Sequence, residues 1–378
     1  MKPNVEIALR LLHRIQFTDD ALAIANPVLR DSFESTTAGP VRVLPFVDEG
    51  VLQAFPDFSA RLQGYADAHG DRMTLATDVR PIVAGEACKN DWQHVEQVLS
   101  AINHHDIDRQ SYILAVGGGA VLDCVGFAAS IAHRGIRLIR MPSTTLAQGD
   151  AGIGVKNGVN AYGKKNFLGT FAVPHAVIND ISLLAGLSSR QWRSGFSESV
   201  KVALLKDAAL FDRIAADAEA IAAMSFERGV PIIERSAELH VKHIAEGGDP
   251  FELRNARPLD FGHWSAHRLE TMSDYTLPHG EAVAIGIALD TAYARQVDLL
   301  GEHDAKRIFE CLAKLGFELA NPLLEDVESL WVGLKEFREH LGGQLTLTLP
   351  TAIGRTVDVH EIDREHLERA IKQLTADK

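Results

Sequence analysis

The stretch Tyr112-Ile-Leu-Ala-Val-Gly-Gly-Gly-Ala-Val-Leu-Asp-Cys-Val-Gly-Phe-Ala-Ala-Ser-Ile-Ala132 decides the fold class. Its first five residues are apolar, which predicts a buried strand over Tyr112–Val116. The three glycines Gly117–Gly119 then predict a tight turn into a helix over Ala120–Ala132. A strand that turns directly into a helix is the repeating unit of a parallel α/β sheet.

Neighbouring segments repeat this alternation of strands and helices. Apolar and β-branched runs predict further strands at Val41–Val47, Met73–Ala76, Ile82–Glu86 and Arg137–Met141. A helical period predicts a helix over Trp92–Ile102, between the last two of these strands. Beyond about Ser188 the helical period dominates, in Glu198–Lys206, Ala208–Ala223, Pro231–Glu246 and Glu281–Gln296. The sequence therefore predicts an N-terminal Rossmann-like parallel-sheet domain over residues 1–185 and a mostly α-helical domain over residues 186–378.

The composition argues against several classes of protein. The chain has 378 residues, with 38 Lys and Arg against 51 Asp and Glu, and a formal net charge of −13. A nucleic-acid-binding surface needs an excess of basic residues, and a membrane span needs ~18 consecutive apolar residues. The sequence shows neither feature. The charged N-terminus is not typical of a signal peptide, and three scattered cysteines predict no disulfide framework. We expect a cytoplasmic protein with no nucleic-acid or membrane partner.

The glycine turn is the first candidate binding feature. Glycines let backbone N–H groups approach a pyrophosphate at a helix N-terminus, where the helix dipole favours anions. Asp48, at the end of an earlier strand, is the residue type that accepts hydrogen bonds from a ribose of NAD. On these residues alone, an ordinary turn and a solvated loop acid are equally good interpretations.

Histidines form the second candidate feature. The segment between residues 240 and 279 holds five of the sixteen histidines of the chain, which are His240, His243, His263, His267 and His279. Together with Glu198, neutral imidazoles are the donor set of a zinc site that keeps one position open for substrate. Spacing alone does not separate this hypothesis from surface or helix-capping histidines.

The third candidate feature is the glycine-rich segment Asp150–Asn166, which contains Lys156, Lys164 and Lys165. Lysine supplies charge and asparagine supplies hydrogen-bonding groups, a combination that suits a phosphorylated, polyhydroxylated ligand. A polar surface loop is the alternative. Three closely spaced lysines in an acidic protein favour the anion.

In this order the three features resemble the 3-dehydroquinate synthase superfamily of sugar phosphate cyclases. The resemblance runs from about Asp48 to Gly286 and rests on motifs at the family's spacings, which are Gly117–Asp123, His133–Gly135, Pro142–Asp150, Lys156–Asn166, Glu198–Lys201, Gly262–Glu270 and His279–Gly286. It implies the two-domain fold above, with NAD bound by the first domain and a metal ion by the second.

The resemblance also implies a role for each matched residue. Glu198, His263 and His279 would bind zinc or cobalt, and His267 would be an acid–base residue near the phosphate. Arg134 would reach the active site of the neighbouring subunit in a homodimer. Substrate hydroxyls and the phosphate would be contacted by Asp150, Lys156, Asn166, Lys201 and Lys242. The NAD site would be lined by Asp48, Glu86, Lys89, Gly117, Gly118, Gly119, Asp123, Ser143, Thr144 and Lys165.

The implied reaction is a cyclisation in which NAD is recycled. NAD oxidises a secondary alcohol with the help of a metal ion, phosphate is eliminated, the hydride returns, and an intramolecular aldol step closes a carbocycle. A glycerol-type alcohol dehydrogenase and a non-catalytic scaffold are the alternatives. The lysine-rich segment argues against the dehydrogenase, and a retained Glu/His cluster argues against the scaffold.

Three positions depart from the synthase proper and bear on the substrate. Ala256 occupies the place of an arginine that pairs with the substrate carboxylate, Asp260 replaces an asparagine, and Thr351-Ala352 replaces a basic pair. A carboxylate bound away from water needs a charged partner, whereas Asp260 would accept hydrogen bonds from hydroxyls. We therefore expect a sedoheptulose 7-phosphate-type ketose.

The alternative substrate is 3-deoxy-D-arabino-heptulosonate 7-phosphate, the carboxylated sugar that the synthase proper uses. It would be favoured if Arg254 or Arg257 took the place of the missing guanidinium.

Overall fold

A computed structural model describes residues 9–34, 39–247, 249, 251 and 258–376. Within these residues the strands, in chain order, are β1 (Ile15–Thr18), β2 (Val41–Asp48), β3 (Met73–Leu75), β4 (Arg80–Ile82), β5 (Tyr112–Gly117), β6 (Arg137–Pro142), β7 (Lys156–Ala161), β8 (Lys164–Phe171), β9 (Ala176–Asp180), β10 (Leu347–Ala352) and β11 (Arg355–Val359). The α-helices are α1 (Val28–Asp31), α2 (Glu49–Ala54), α3 (Phe58–Ala68), α4 (Ala87–Asn90), α5 (Trp92–His104), α6 (Gly119–Ile131), α7 (Ser189–Lys206), α8 (Ala208–Ala222), α9 (Phe226–Glu246), α10 (His263–Met272), α11 (His279–Gln296), α12 (Glu302–Lys314), α13 (Val327–His340) and α14 (Arg364–Thr375).

The described residues divide into two compact units. Unit 1 takes the described residues up to Pro142, together with Val155–Val159 and Asn166–Asp180. Unit 2 takes Ser143–Gly154, Asn160–Lys165 and the described residues from Ile181 onward. The segments of the two units therefore alternate along the chain. The expected boundary between two domains, at residues 185 and 186, remains a prediction.

Unit 1 is built on one parallel sheet with the strand order β1-β9-β6-β5-β2-β3, in which β4 also pairs with β2. Every residue of the central strand β5 is buried, because a parallel strand covered on both faces carries a continuous apolar run. The predicted Tyr112–Val116 strand and Ala120–Ala132 helix are present as β5 and α6.

The turn from β5 into α6 requires glycine for a steric reason. A Cβ atom on Gly117 would lie 2.9 Å from the Asp48 Cβ and 2.9 Å from Val121 Cγ1. The end of β2 and the first turn of α6 therefore approach the Gly117 backbone too closely for any side chain.

The predicted strand Ile82–Glu86 is wrong, since β4 ends at Ile82 and Gly85 adopts a left-handed φ of 70°. An extended strand does not continue through that conformation.

Unit 2 is mainly helical, and the predicted helical segments lie within α7, α8, α9 and α11. Helix α11 is buried almost all round from Gly280 to Ala294, which is typical of a helix in the middle of a core. It packs against α7, α10, α12 and α14. An antiparallel hairpin of β10 and β11, which has no predicted counterpart, completes the unit.

The segment Asp150–Asn166 is not a plain loop. It starts in a π-helical turn, Ala147–Ala151, and continues into β7 and β8, which pair as a two-stranded sheet. The buried guanidinium of Arg140 donates to Lys156 O at 2.9 Å and to Asn157 Oδ1 at 2.6 Å, which anchors β7. Strands β7 and β8 were not predicted, because their Gly, Asn and Lys residues show no alternation of apolar and polar residues.

Cys88, Cys124 and Cys311 are free and buried. None of the described helices has the combination of length and apolarity that crossing a bilayer requires.

Candidate active site

Three helices of unit 2 bring one carboxylate and two imidazoles together. Glu198 lies in α7, and His263 and His279 are the first residues of α10 and α11. Their ligand atoms all lie within 4.8 Å of one another. Glu198 Oε1 is 3.4 Å from His263 Nε2 and 3.2 Å from His279 Nε2, and the Glu198 side chain is 2% exposed. The structure thus brings together the three predicted metal ligands.

The start of α10 is fixed by a buried aspartate of α11. Asp290 accepts hydrogen bonds from the Gly262 N–H at 2.9 Å and from the Trp264 indole N–H at 2.8 Å. Gly262 has a left-handed φ of 75°, and a Cβ atom there would lie 2.9 Å from Ile287 N. These contacts fix the backbone on both sides of His263. Burial raises the pKa of the Asp290 carboxyl to about 7.

The start of α11 is fixed by its close approach to α7. A Cβ atom on Gly280 would lie 2.1 Å from Ser194 O, so the first turn of α11 rests directly on the α7 backbone. Ser194 precedes Glu198 by one helical turn. His279 is therefore held beside Glu198 by backbone contact, not by side-chain packing alone.

A second carboxylate holds the other nitrogen of His279. His279 Nδ1 lies 3.1 Å from Glu270 Oε2, and Glu270 Oε1 pairs with the Lys165 ammonium. Although burial alone would lower the pKa of His279, Glu270 raises it to about 9. His279 thus lies between two carboxylates, Glu198 on its Nε2 side and Glu270 on its Nδ1 side. The sequence analysis included Glu270 as the last residue of the Gly262–Glu270 motif but gave it no role, although it follows His267 by three residues on the same helix.

His267 completes this group. His267, Glu270 and His279 also have ligand atoms within 4.8 Å of one another, and the rings of His267 and His279 stack at 5.9 Å. Burial, and then the Lys165 ammonium, lower the pKa of His267 well below its usual value. His267 is therefore a neutral imidazole that can accept a proton.

A chain of buried charges extends the cluster away from Glu198. The Lys201 ammonium lies 2.5 Å from Glu198 Oε2 and 3.1 Å from Asp150 Oδ2, and Asp150 Oδ1 lies 2.8 Å from His240 Nδ1. Burial opposes the charge of Lys201, but Asp150 and Glu198 raise the pKa of this ammonium above its ordinary value. Against the effect of burial, Lys201 holds the pKa of Glu198 well below its usual range.

Lys242 does not join this chain of charges, and its expected contact with substrate hydroxyls stays a prediction. Its side chain is 68% exposed, and its ammonium lies 3.8 Å from Glu246 Oε2 on the same helix. Two residues turn an α-helix by about 200°, so α9 directs His240 and Lys242 to opposite sides. His240, whose functional position the sequence did not reveal, is the α9 residue that reaches the cluster.

Unit 1 holds a separate polar cluster at the predicted NAD residues. The Lys89 side chain is 3% exposed, lies 2.8 Å from Asp123 Oδ2 and also pairs with the Asn166 amide oxygen. Asp48 accepts hydrogen bonds from Gly50 N–H at 2.7 Å and Gly118 N–H at 3.5 Å, and burial raises the pKa of its carboxyl. Gly118 begins α6 with no side-chain cap.

The remaining predicted residues are more dispersed. Glu86 is the N-cap of α4 and Lys156 begins β7 with an exposed side chain, whereas Ser143, Thr144 and Lys165 belong to unit 2. Lys165, predicted for the NAD site, instead pairs with Glu270 because that buried carboxylate needs a cation.

Two further predicted residues lie in short turns. Arg134 is exposed with a left-handed φ of 65°, and Asp260 ends a 3-10 turn before α10. Arg254, Ala256 and Arg257 lie outside the described residues.

Two protein-family models match most of this chain. The models for the N-terminal and C-terminal regions of 3-dehydroquinate synthase match residues 80–194 and 195–335. The chain belongs to this family. Membership confirms the resemblance inferred from the motifs, the two-part fold and the prediction of an enzyme of the cyclase class.

Individual relatives carry more specific names. The chain is 34% identical over 352 residues to 2-epi-5-epi-valiolone synthase of Streptomyces glaucescens, covering 93% of this chain and 87% of that protein. It is 35% identical over 292 residues to 3-dehydroquinate synthase of Dictyoglomus thermophilum, covering 77% and 81%.

A solved relative has the same fold over nearly its whole length. It is the 2-epi-5-epi-valiolone synthase ValA of Streptomyces hygroscopicus subsp. jinggangensis 5008, solved with NAD⁺ and Zn²⁺ bound. The two chains superimpose with a TM-score of 0.88 at 29% identity, covering 98% of this chain and 99% of ValA.

Proposed function

We propose that this protein is a sugar phosphate cyclase that uses NAD and a zinc or cobalt ion to convert a sedoheptulose 7-phosphate-type ketose into a carbocycle. The observation that carries the proposal is the buried group of Glu198, His263 and His279, joined through Lys201 to Asp150. The names of the relatives, and the NAD⁺ and Zn²⁺ bound to ValA, support the same reaction.

The donor set fits a catalytic divalent ion. One carboxylate and two imidazoles occupy three coordination positions and leave room for a substrate oxygen. Glu270 can only accept a hydrogen bond from His279 Nδ1–H, which would leave the lone pair of Nε2, on the Glu198 side, to bind an ion. A ligand oriented by a buried carboxylate is typical of functional metal sites.

The residues of unit 1 fit NAD. Gly118 is the N-cap of α6 and has no side chain that could cap the helix, so the first N–H groups of α6 are suited to a pyrophosphate. Asp48 lies at the same turn, where a carboxylate accepts hydrogen bonds from ribose hydroxyls. The Lys89–Asp123 pair holds two further predicted residues in one place.

When bound, the metal ion polarises a substrate hydroxyl and NAD takes and later returns the hydride. Lys201 places a buried positive charge where a hydroxyl loses its proton, which stabilises the developing alkoxide. His267, whose ring lies beside that of His279, is proposed to receive a proton during phosphate elimination. Lys156 and Asn166 are proposed to hold the phosphate.

The substrate preference is tested by offering both sugars. Purified enzyme with NAD and zinc or cobalt receives sedoheptulose 7-phosphate or 3-deoxy-D-arabino-heptulosonate 7-phosphate, and phosphate release and the cyclic product are measured. We expect efficient turnover of the ketose, because Ala256 offers a carboxylate no partner and Asp260 would repel it. Efficient turnover of the carboxylated sugar alone would contradict the proposal. The double change Ala256→Arg with Asp260→Asn should shift preference toward the acid.

Recycling of NAD distinguishes a cyclase from an alcohol dehydrogenase. Phosphate release should proceed without a lasting rise in NADH absorbance, since the hydride returns within each cycle. A rise that matches phosphate one to one would instead identify a dehydrogenase.

We further propose a cytoplasmic homodimer in which Arg134 of each subunit reaches the partner's active site. Arg134 is exposed in a turn where both it and His133 have positive φ, a strained conformation that functional turns retain. Co-expression of an Arg134→Ala chain with a Glu198→Gln chain tests this arrangement. Mixed dimers should regain one intact site and partial activity, whereas the two separate homodimers should not.

A further inference from the structure

Helix α9 presents an unassigned histidine to the charge cluster. His240 Nδ1 lies 2.8 Å from Asp150 Oδ1, and the His240 side chain is only 13% exposed. One turn earlier on the same face, Ser236 Oγ donates to Gly149 O at 3.4 Å. Two consecutive turns of α9 therefore hold the π-helical turn that carries Asp150.

The direction of each hydrogen bond follows from the chemistry of the groups. An ionised carboxylate only accepts, so His240 donates Nδ1–H to one oxygen of Asp150, and Lys201 donates to the other oxygen. With both oxygens engaged, the Asp150 carboxylate has one orientation. Without the imidazole, the ion pair with Lys201 would be the one remaining contact among those described here that orients the carboxylate.

The position of Lys201 depends on this arrangement. Its ammonium lies between Glu198 and Asp150, and a divalent ion on Glu198 would compete for the first carboxylate and repel the ammonium. Asp150 would then be the main partner of Lys201. The group that fixes Asp150 would therefore set where the ammonium meets the substrate.

We propose that His240 is a positioning residue that fixes Asp150 and, through it, the ammonium of Lys201, an inference that rests on the proposed cyclase function. In this arrangement α9 contributes His240 to the charge cluster, whereas Lys242 is exposed to solvent. Because a positioning residue acts through Asp150 and Lys201, removal of His240 should lower kcat with little change in KM.

Three substitutions separate hydrogen bonding from packing. His240→Asn keeps an N–H group close to the place of Nδ1, His240→Gln moves it toward the place of Nε2, and His240→Leu removes it. Losing a hydrogen bond to a charged group corresponds to about tenfold or more. We expect kcat near wild type for Asn and a fall of about tenfold or more for Gln and Leu. Glu238→Gln, at an exposed position of the same helix, is the matched control.

A labelling experiment tests the same inference without turnover. The full-length protein is treated with an amine-acylating reagent, and modification of Lys201 is followed by mass spectrometry. Lys201 is 4% exposed and doubly paired, so wild type, Asn and the Glu238→Gln control should label slowly. Gln and Leu should label about tenfold faster, because Asp150 loses one of its two hydrogen bonds and holds Lys201 less firmly. Metal content and thermal unfolding confirm that each variant is folded.

The two experiments fail in distinguishable ways. Equal kcat for Asn and Gln, or Lys201 labelling that does not change in Gln and Leu, would overturn the role of His240. A wild-type enzyme that releases no phosphate from either sugar, yet shows the expected labelling order, would overturn the cyclase proposal and support the positioning role. If the Leu variant does not fold, the comparison of Asn with Gln decides.

Discussion

Each unit of this protein buries a lysine, and the two lysines have different surroundings. Lys89 in unit 1 faces one carboxylate, Asp123, and the neutral amide of Asn166. Lys201 in unit 2 faces two carboxylates, Asp150 and Glu198. Lys201 therefore lies between two negative charges, in a group whose described carboxylates outnumber its ammonium groups.

The excess in unit 2 extends beyond Lys201. Among the described residues, the three carboxylates of Asp150, Glu198 and Glu270 form ion pairs with two ammonium groups, those of Lys165 and Lys201. Buried charges are stable only when compensated, so this cluster requires one more positive charge. In spite of burial, Glu270 raises the pKa of the His279 imidazole to about 9, so a proton on this ring is one source of that charge. A divalent ion would replace this proton.

The largest expected effect is the loss of Glu198. Glu198→Gln removes the charge that holds both an ion and Lys201, so metal content should fall below about a tenth of an equivalent and phosphate release by about a thousandfold or more. Atomic absorption and a phosphate assay measure the two quantities. Glu302→Gln, at an exposed position, is the control. Unchanged stoichiometric metal would refute the assignment of this cluster.

In unit 1, Lys89→Met should weaken NAD binding and leave the metal in place. The substitution leaves Asp123 without its cation, and breaking a buried pair costs about 3–5 kcal/mol. We expect the NAD dissociation constant, measured by titration calorimetry, to rise by about a hundredfold. Metal content should match that of the exposed-lysine control Lys306→Met. A variant that lost metal but kept NAD would reverse the comparison between the clusters.

Glu270→Gln tests whether this carboxylate orients a ligand or is one. If it orients His279, the variant still binds one metal ion, with an affinity lower by about 10- to 100-fold. Titration of the metal-free protein with cobalt, followed by its visible absorption spectrum, gives stoichiometry and affinity together. Complete loss of the cobalt spectrum would move the ion to His267, Glu270 and His279, the alternative group in the described residues.

The smallest effect concerns the pH dependence of stability through Asp290. Burial raises the pKa of Asp290 to about 7, above the value of about 3.9 in an unfolded chain. The folded state therefore binds the proton more tightly, and stability falls as pH rises between these values. From pH 5 to pH 8, wild type should lose about 2 kcal/mol more than Asp290→Asn in urea unfolding. Equal losses would show that Asp290 is ionised throughout.

Local sequence was sufficient for the parts of the fold that carry a strong pattern. The apolar run Tyr112–Val116 and the helical periods from Ser188 onward are properties of contiguous residues, and both are present in the structure. The hairpin of β7 and β8 has no such pattern. Instead, β7 is anchored by Arg140, which lies in a distant part of the sequence of unit 1. Its strands depend on a partner that local sequence does not reveal.

For the site, the sequence determined the residue types, and the motifs grouped Glu198, His263 and His279 before any geometry was available. Only the tertiary structure decided that His240, not Lys242, joins Asp150, and that Glu270 holds the far nitrogen of His279. A helical period fixes how side chains are arranged around their own axis. Which side of that axis meets which distant segment is set by the packing of helices against one another, and that packing is what brings these charges together.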